Sequence, residues 1–355
     1  MAGYGNFDSG LSAEVRRAER CDEVGEHGEA IDCLAAGARK RDVEAITRLG
    51  KRLLVGDRAP CLPSDGAGLI AEASAAGGAE AAAVLAVLYA VGASPKHDLA
   101  AGLETLITAA ERGWASARAQ LTALAATFAG PDVPHGAQRW RELGNRVDLR
   151  AWLVPPASAD LSASPLVRSY PQLVTAPVCR WLIERARPRL SRALVYEALK
   201  REVTVGESRT NTAASFNLLE TDLVLVLTQL RMAACLGTTI RYFEAVSVLH
   251  YGTGEEITDH YDFVDPDVPG YGQELAQRGE RVATFLVYLN DDYGGGETAF
   301  PRLGFSHKGA RGEGLVFANA LPDGKPDRRM LHAGRQANPG EKWIVSQFVR
   351  NRPVL

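Results

Sequence analysis

The sequence predicts an α+β protein built from an all-helical repeat region and a later domain of helices set against a sheet sandwich. Three observations predict it. Apolar residues before about Leu143 fall at helical spacing and recur with a period of 36 residues. A Pro/Ser/Ala-rich stretch, Val154 to Pro165, breaks that pattern. Beyond it, two amphipathic helical segments give way to several short β-like runs. The resulting partition is residues 1–145 for the repeats, 146–168 for a linker and 169–355 for the second domain.

Bulk properties narrow the classes. The chain has 355 residues, long enough for two domains, with 46% apolar and 23% charged residues and a formal net charge of −3. That balance argues against a nucleic-acid partner, which would favour a basic face. No apolar run approaches a membrane span. The opening "MAGYGNFDSG" has neither the basic start nor the apolar core of a secretion signal. Cys21, Cys33, Cys61, Cys179 and Cys235 are scattered and odd in number, with no C-x-x-C, as expected of reduced thiols in a cytoplasmic protein.

In the first region, Ala45, Ala81 and Ala117 share the 36-residue period with Leu49, Leu85 and Leu121, and Gly77 and Gly113 fit it too. The units read "VEAITRLGKRLLVG", "AEAAAVLAVLYAVG" and "ASARAQLTALAATF", preceded by helical segments such as "GLIAEASAAG" and "GLETLITAAERG". A small residue one turn before a leucine lets paired helices approach closely, and stacked pairs bury a continuous core. The pattern resembles Sel1-like repeats, longer relatives of tetratricopeptide repeats. An Ala-rich bundle of another kind would share the spacing.

After the linker, "APVCRWLIERARPRL" reads as a helix ended by Pro188, and "TDLVLVLTQLRMAACLG" as a second with Gly237 at its C-terminal end. The runs "FEAVSVLHYG", "ERVATFLVYLND", "EGLVFANAL" and "KWIVSQFVRN" read as strands. Helices followed by many strands suggest helices packed on a sheet sandwich.

One stretch, "EEITDHYDF", places His260 and Asp262 two residues apart in a β context, so both project to one side while Asp259 and Tyr261 project away. An exposed polar strand end would read the same; a metal site needs a third ligand. Of the other histidines, His27, His97 and His135 fall in the helical part and read as surface residues, and His307 reads as an exposed loop. His250 alternates with Tyr251, so at most one of the two faces the site. His332 follows a turn and precedes the last strand, where a sandwich could return it beside His260. Two histidines and a carboxylate with open positions form the facial triad of non-haem Fe(II) oxygenases, whereas zinc hydrolases with these ligands typically show a helical H-E-x-x-H, which is missing here. Lys342 lies on a strand among Trp343, Ile344 and Val345. Facing outward it means nothing; facing inward it needs an acid, and the distal carboxylate of 2-oxoglutarate would serve.

From about Tyr170 to Arg350 the chain resembles the prolyl 4-hydroxylases of the 2-oxoglutarate and Fe(II)-dependent dioxygenase superfamily. The blocks "ESRTNTAASF", "FEAVSVLHYGTGEEITDHYDF", "GERVATFLVYLNDDYGGGETAFP", "GEGLVFANALPDGKPDRRMLHAG" and "PGEKWIVSQF" occur in that order. The resemblance implies a double-stranded β-helix (jelly roll). It implies Fe(II) held by His260, Asp262 and His332, and 2-oxoglutarate held by Lys342 with Tyr251 and Thr298. It places Arg209, Glu244 and Arg281 on the substrate side and implies O2 as cosubstrate and ascorbate as reductant. Gly294, Gly295 and Gly296 would shape a turn. Asn211, Ile257, Phe348 and Arg350 stand where the family usually has serine, tyrosine, an aromatic residue and histidine in its substrate region. Three readings follow: a peptidyl-proline hydroxylase whose repeats hold a protein substrate, the same chemistry on another residue or a small metabolite, or a non-catalytic repeat scaffold. All four metal and lysine positions are filled, against the last. Neither nucleic acid nor membrane is an expected partner.

Overall fold

The computed structural model describes residues 10–93, 98–129, 136, 138–193, 195–197, 202–204 and 209–354; His97 and His135 lie outside them. The chain divides into two compact units, Met1–Leu149 with Leu218–Val226, and Arg150–Asn217 with Leu227–Leu355.

The first unit is a run of helices: α1 (Ala13–Glu23), α2 (His27–Arg39), α3 (Val43–Val55), α4 (Pro63–Ala75), α5 (Ala79–Val91), α6 (Leu99–Glu111), α7 (Ala115–Ala129) and α8 (Arg139–Asn145). The 36-residue period is physical. It relates the starts of α2, α4 and α6, and again those of α3, α5 and α7. Ala45, Ala81 and Ala117 are buried with Leu49, Leu85 and Leu121. Short polar side chains start several helices by accepting from first-turn amides: Ser12 from Val15, Asp42 from Glu44 and Ala45, Asp98 from Ala101. Gly56 and Gly92, one period apart, end α3 and α5 in the left-handed conformation. Gly77 and Gly113 turn the chain at φ 102° and 101°, and one period earlier Arg41 makes the same excursion at φ 62°. Gly66 and Gly102, also one period apart, bring paired helices together. A Cβ at Gly66 would lie 2.7 Å from Gly50 O and Leu54 N of α3, and one at Gly102 2.9 Å from Ala86 O of α5. Residues 218–226 belong to this unit as well. Leu218 and Leu219 pack on the cluster of Leu54, Ile70, Leu85 and Leu88, and the Leu223 amide donates to Gln120 Oε1 at 3.0 Å.

In the second unit, the part of α9 (Leu149–Leu153) from Arg150 onward leads into β1 (Ala159–Ala163) and β2 (Leu166–Tyr170), then α10 (Ala176–Ala186), β3 (Ser191–Arg192), β4 (Val195–Glu197), β5 (Glu202–Thr204) and β6 (Thr212–Ser215). The part of α11 (Leu223–Leu236) from Leu227 onward is followed by β7 (Ser247–Tyr251), β8 (Ile257–His260), α12 (Gly272–Arg278), β9 (Arg281–Tyr288) and β10 (Thr298–Phe300). The chain then forms β11 (Phe305–His307), β12 (Gly314–Ala318), β13 (His332–Gly334) and β14 (Lys342–Arg350). The stretch expected to be a linker is therefore structured. β1 and β2 pair, and β2 joins β12 inside the large sheet. Its signal is weak because β1 is almost wholly exposed and shows no apolar alternation. His307, expected in an exposed loop, lies on β11 and pairs with Glu313 at 2.8 Å.

Two antiparallel sheets form the sandwich, one ordered β1-β2-β12-β9-β14-β7-β6-β3 and the other β11-β10-β13-β8, and β4 and β5 pair with each other separately. From β7 onward the chain alternates between them: β7, β9, β12 and β14 lie in the large sheet, and β8, β10 with β11, and β13 in the small one. That winding is a double-stranded β-helix. Leu249, Tyr251, Leu286, Tyr288, Leu315, Phe317 and Ile344 from one sheet share a core with Phe300 from the other. The long strands of the large sheet are buried on both sides for much of their length, which explains their near-continuous apolar runs.

Candidate metal centre

The register of β8 and β13 sets His332 directly opposite His260, with ring centroids 4.3 Å apart. β8 ends at His260, and Asp262 lies just past that end, buried. Its Oδ1 is 3.4 Å from His260 Nε2 and its Oδ2 3.2 Å from His332 Nε2. Each histidine spends its other ring nitrogen on the carbonyl two residues before it: His260 Nδ1 on Thr258 O at 2.8 Å, His332 Nδ1 on Met330 O at 2.9 Å. A carbonyl only accepts, so Nδ1 carries the hydrogen and the neutral ring presents its Nε2 lone pair inward. Two such lone pairs facing a carboxylate repel unless a cation or a proton sits among them, and these donor atoms lie within 4.8 Å of one another. In the metal-free protein protons on the imidazoles take that place: burial alone would raise the Asp262 pKa, but the charge of protonated His332 and bonds from both imidazoles hold it well below the usual carboxylate range. His332 shifts upward, because Asp262 outweighs the effect of burial. This donor set fits a divalent ion with open positions.

Lys342, on β14, pairs in register with Tyr251 on β7. It has no exposed surface. Its Nζ donates to Gly296 O at 2.7 Å and sits 5.2 Å and 5.8 Å from the ring centres of Tyr251 and Tyr288. Burial lowers its pKa to about 7, only partly opposed by the charge of Glu297. Gly295 and Gly296 shape the adjoining turn at φ 59° and 72°. Thr298 Oγ1 meets the Tyr288 hydroxyl at 2.8 Å, and burial pushes Tyr251 up to about 12. One cavity, partly open to solvent, is lined by His260, Asp262, His332, Lys342, Tyr251 and Thr298 together. His250 faces the other side of the sheet, bonded to Thr212 and Glu341.

The substrate-side candidates separate. Arg209 lines the cavity, and its Nε donates to Oδ1 of the buried Asn211 at 2.9 Å. Glu244 and Arg281 do not line it. The Arg281 Nε and Nη2 grip Glu244 at 2.7 and 3.0 Å, and the buried Arg350 ties Glu244 to Glu274. Burial would raise the Glu244 pKa, but Arg281, Arg350 and Arg278 keep it low. Ile257 and Phe348 contribute apolar wall, and the Arg281 guanidinium lies 3.9 Å over the Phe348 ring.

Three further side chains at the site, Tyr288, Thr284 and Asn319, are not among the residues the sequence singles out. Tyr288 projects to the same side of β9 as Leu286 and Thr284. Thr284 Oγ1 donates to Asp262 Oδ2 at 2.7 Å, and Asn319 Nδ2 donates to Thr284 Oγ1 at 2.9 Å. The alternation of "ATFLVY" could have placed Tyr288 inward, but nothing local marks Thr284 or Asn319.

A double-stranded β-helix carrying this triad defines an oxygenase-like domain. Residues 246–350, which follow the helical repeats, match the family described as the 2OG-Fe(II) oxygenase superfamily, and the chain has prolyl 4-hydroxylase homologues. It is 29% identical over 209 residues to prolyl 4-hydroxylase subunit alpha-1 of Gallus gallus, covering 59% of this chain and 40% of that protein. The matched region thus spans well under half of that relative. The viral collagen prolyl hydroxylase of Paramecium Bursaria Chlorella virus-1, solved with 2OG, is 27% identical over 52% of this chain and 94% of that one, with a TM-score of 0.41. A Sel1 repeat protein of Oxalobacter formigenes aligns over 38% of this chain and 55% of that one, with 18% identity and a TM-score of 0.30. Among the described residues, no helix is long and apolar enough to cross a membrane.

Proposed function

We propose that the second unit is an Fe(II)- and 2-oxoglutarate-dependent dioxygenase that hydroxylates a C–H bond of a peptide or protein, with peptidyl-proline as its target. The observation that carries this is the shared cavity: a metal-ready triad at one place and, at another, a buried ammonium with no carboxylate partner among the described residues. A metal-binding keto acid with a distal carboxylate joins two such features. His260, Asp262 and His332 hold the metal, Lys342 takes the distal carboxylate with Tyr251 and Thr298, and Arg209 reaches the substrate from the cavity wall. Glu244 and Arg281 act from behind it, as the strut under Phe348. Bound Fe(II) supplies the oxidative chemistry, in which O2 and 2-oxoglutarate yield succinate, carbon dioxide and one oxygen atom for the substrate C–H. The carbonyl-anchored imidazoles keep their Nε2 atoms aimed inward, and the apolar wall of Ile257, Leu286, Ile344 and Phe348 limits water. Ascorbate serves as reductant, the helical repeats hold the protein substrate, and the work is done in the cytoplasm, where the five free thiols stay reduced.

Proline as target rests on the prolyl 4-hydroxylase relatives. The apolar Ile257 and Phe348 in the cavity wall, with Asn211 behind Arg209, favour a second reading: the same chemistry on another residue or a small metabolite. Full-length protein incubated with Fe(II), 2-oxoglutarate and ascorbate, with proline-rich peptides in one arm and a cell lysate in the other, distinguishes the two. Mass spectrometry should find proline gaining one oxygen atom; oxygen on another residue or on a metabolite selects the second reading. His260→Ala and Asp262→Ala should abolish succinate formation. So should Asp262→Glu, whose longer arm misplaces the carboxylate. Full turnover by either alanine variant would sink the oxygenase reading.

A further inference from the structure

The two side chains behind Asp262 form a directed hydrogen-bond relay, and we propose that Asn319 and Thr284 are positioning residues that set how Asp262 presents its carboxylate to the metal. The inference rests on the metal-centre reading above and goes beyond it in naming what aims the third ligand.

The direction of the relay follows from donor arithmetic. An ionised carboxylate only accepts, so across the 2.7 Å contact Thr284 must give its single hydrogen to Asp262 Oδ2. Thr284 Oγ1 can then only accept, and across 2.9 Å the Asn319 amide must give it one. The other end of that amide, Oδ1, is buried with no partner among the described residues, so Asn319 is held here as a donor. Thr284 and Asn319 are each 1% exposed, and both are fixed by backbone as well. Thr284 lies at the centre of the large sheet, in register with Phe317 on β12 and Phe348 on β14. Asn319 follows β12, with its amide bonded to Val282 O at 2.8 Å and its carbonyl accepting from Asp327 N at 2.9 Å. The relay therefore ties the large sheet to the ligand that follows β8 in the small one.

Its effect on Asp262 is to make the two oxygens unequal. Oδ2 shares its electron density with a hydroxyl, while Oδ1 has no hydroxyl donor and remains the stronger base. A carboxylate so divided favours ligation through one oxygen and leaves the remaining metal positions for a chelating cosubstrate and O2. Hydrogen bonds behind metal ligands typically contribute 10–100-fold in metal affinity. Valine matches threonine in shape and β preference but has no hydroxyl, so it removes the donor with least disturbance.

The test titrates Co(II) alone, in the absence of oxygen and 2-oxoglutarate, into the full-length chain and follows its visible absorption and binding heat. Thr284→Val should weaken Co(II) by about 10–100-fold and change the intensity of the visible bands. Thr284→Ser, which keeps the hydroxyl, should stay near wild type in both. Asn319→Ala should weaken binding by less than Thr284→Val. Because Asn319 acts only through Thr284, the double variant should bind no worse than Thr284→Val alone, a non-additivity that independent packing defects would not show. A merely structural pair would lower the melting temperature and leave the affinity of the folded protein unchanged. Wild-type affinity and bands in folded Thr284→Val overturn the relay. If Thr284→Val does not fold, Asn319→Ala decides, and wild-type Co(II) binding there overturns it equally. No Co(II) binding by the wild type would instead remove the metal-centre reading, and the relay with it.

Discussion

A fully buried lysine whose ammonium has one carbonyl and two aromatic rings for company is destabilising on a central strand. With a folded-state pKa of about 7, against roughly 10.4 when unfolded, the unfolded chain binds the extra proton between those values. Stability of the ligand-free protein should therefore rise with pH from about 7 to about 10.4 and be lowest below that window. Lys342→Met should abolish the rise and raise stability at pH 6 by about 1–3 kcal/mol, after allowing for the bond lost to Gly296. The same ammonium should hold the distal carboxylate of 2-oxoglutarate, and losing one partner of a buried pair costs about 3–5 kcal/mol, so Lys342→Ala should weaken the cosubstrate about 100-fold or more. Since only the charged form binds, wild-type affinity should be level below pH 7 and fall about tenfold per unit above it, whereas Lys342→Arg should show no such fall. Anaerobic titration of the iron-loaded protein, read from its charge-transfer band between pH 6 and 9, measures all three. Wild-type affinity in Lys342→Ala would remove the pocket. This lysine, the H-x-D pair and His332 were legible because charge or metal-binding chemistry is anomalous in a β context. Thr284 was not, because a threonine is ordinary on a strand and only the hydrogen bond of its hydroxyl to Asp262, made across the two sheets, gives it meaning.

Elements were legible in proportion to their length and burial. β7, β9, β12 and β14 announced themselves as runs of five to nine residues. β10, β11 and β13 have three residues each, too few for any period to show, yet β13 carries His332. β1 was missed because a solvated edge strand needs no apolar residues. Glu244 and Arg281 read as substrate-side groups only through the family resemblance; Arg350, far along the chain, joins them in a buried network that no local pattern marks. In the repeats the period was legible but the contact it serves was not, and α4 offers a matched test. Gly66 faces α3, where a Cβ would meet backbone at 2.7 Å, whereas Gly68, one face round the same helix, has nothing within 4 Å. Gly68→Ala should stabilise by about 0.8–1.0 kcal/mol through helix propensity alone. Gly66→Ala gains the same term but must force two backbones apart, and overpacking of this kind costs about 1–3 kcal/mol, so it should be neutral at best and more commonly destabilising. Urea denaturation of both variants reads the difference; equal stabilisation would mean that α3 and α4 are not packed backbone to backbone.

The division of the whole chain is not the one its grammar suggests. The change from helical period to β-like runs places everything after residue 168 in the second domain, and "TDLVLVLTQL" reads as one of its helices. Leu218 to Val226 nevertheless belong to the first unit. Periodicity could not reveal this, because the partners Leu54, Ile70, Leu85 and Leu88 lie more than a hundred residues away in sequence. A chain ending at Leu149 should therefore be an incomplete unit rather than a free-standing domain. It would leave that cluster uncovered and Gln120, 3% exposed in the whole protein, without the Leu223 amide. Covering a leucine contributes about 1.5–3 kcal/mol when complete, so two partly buried ones account for about 2–4 kcal/mol. Each kcal/mol corresponds to roughly 2–4 °C for a chain of this size, so a chain of residues 10–149 should melt about 5–15 °C higher once saturated with a peptide of residues 217–227 than alone. The same peptide with Leu218 and Leu219 both replaced by serine should give little of that rise, because the leucines, not the backbone, fill the cluster. Calorimetric scans with and without each peptide supply the comparison. If residues 10–149 melt cooperatively and neither peptide moves the transition, the repeats are complete without residues 218–226, and the sequence-level boundary near residue 145 is the right one.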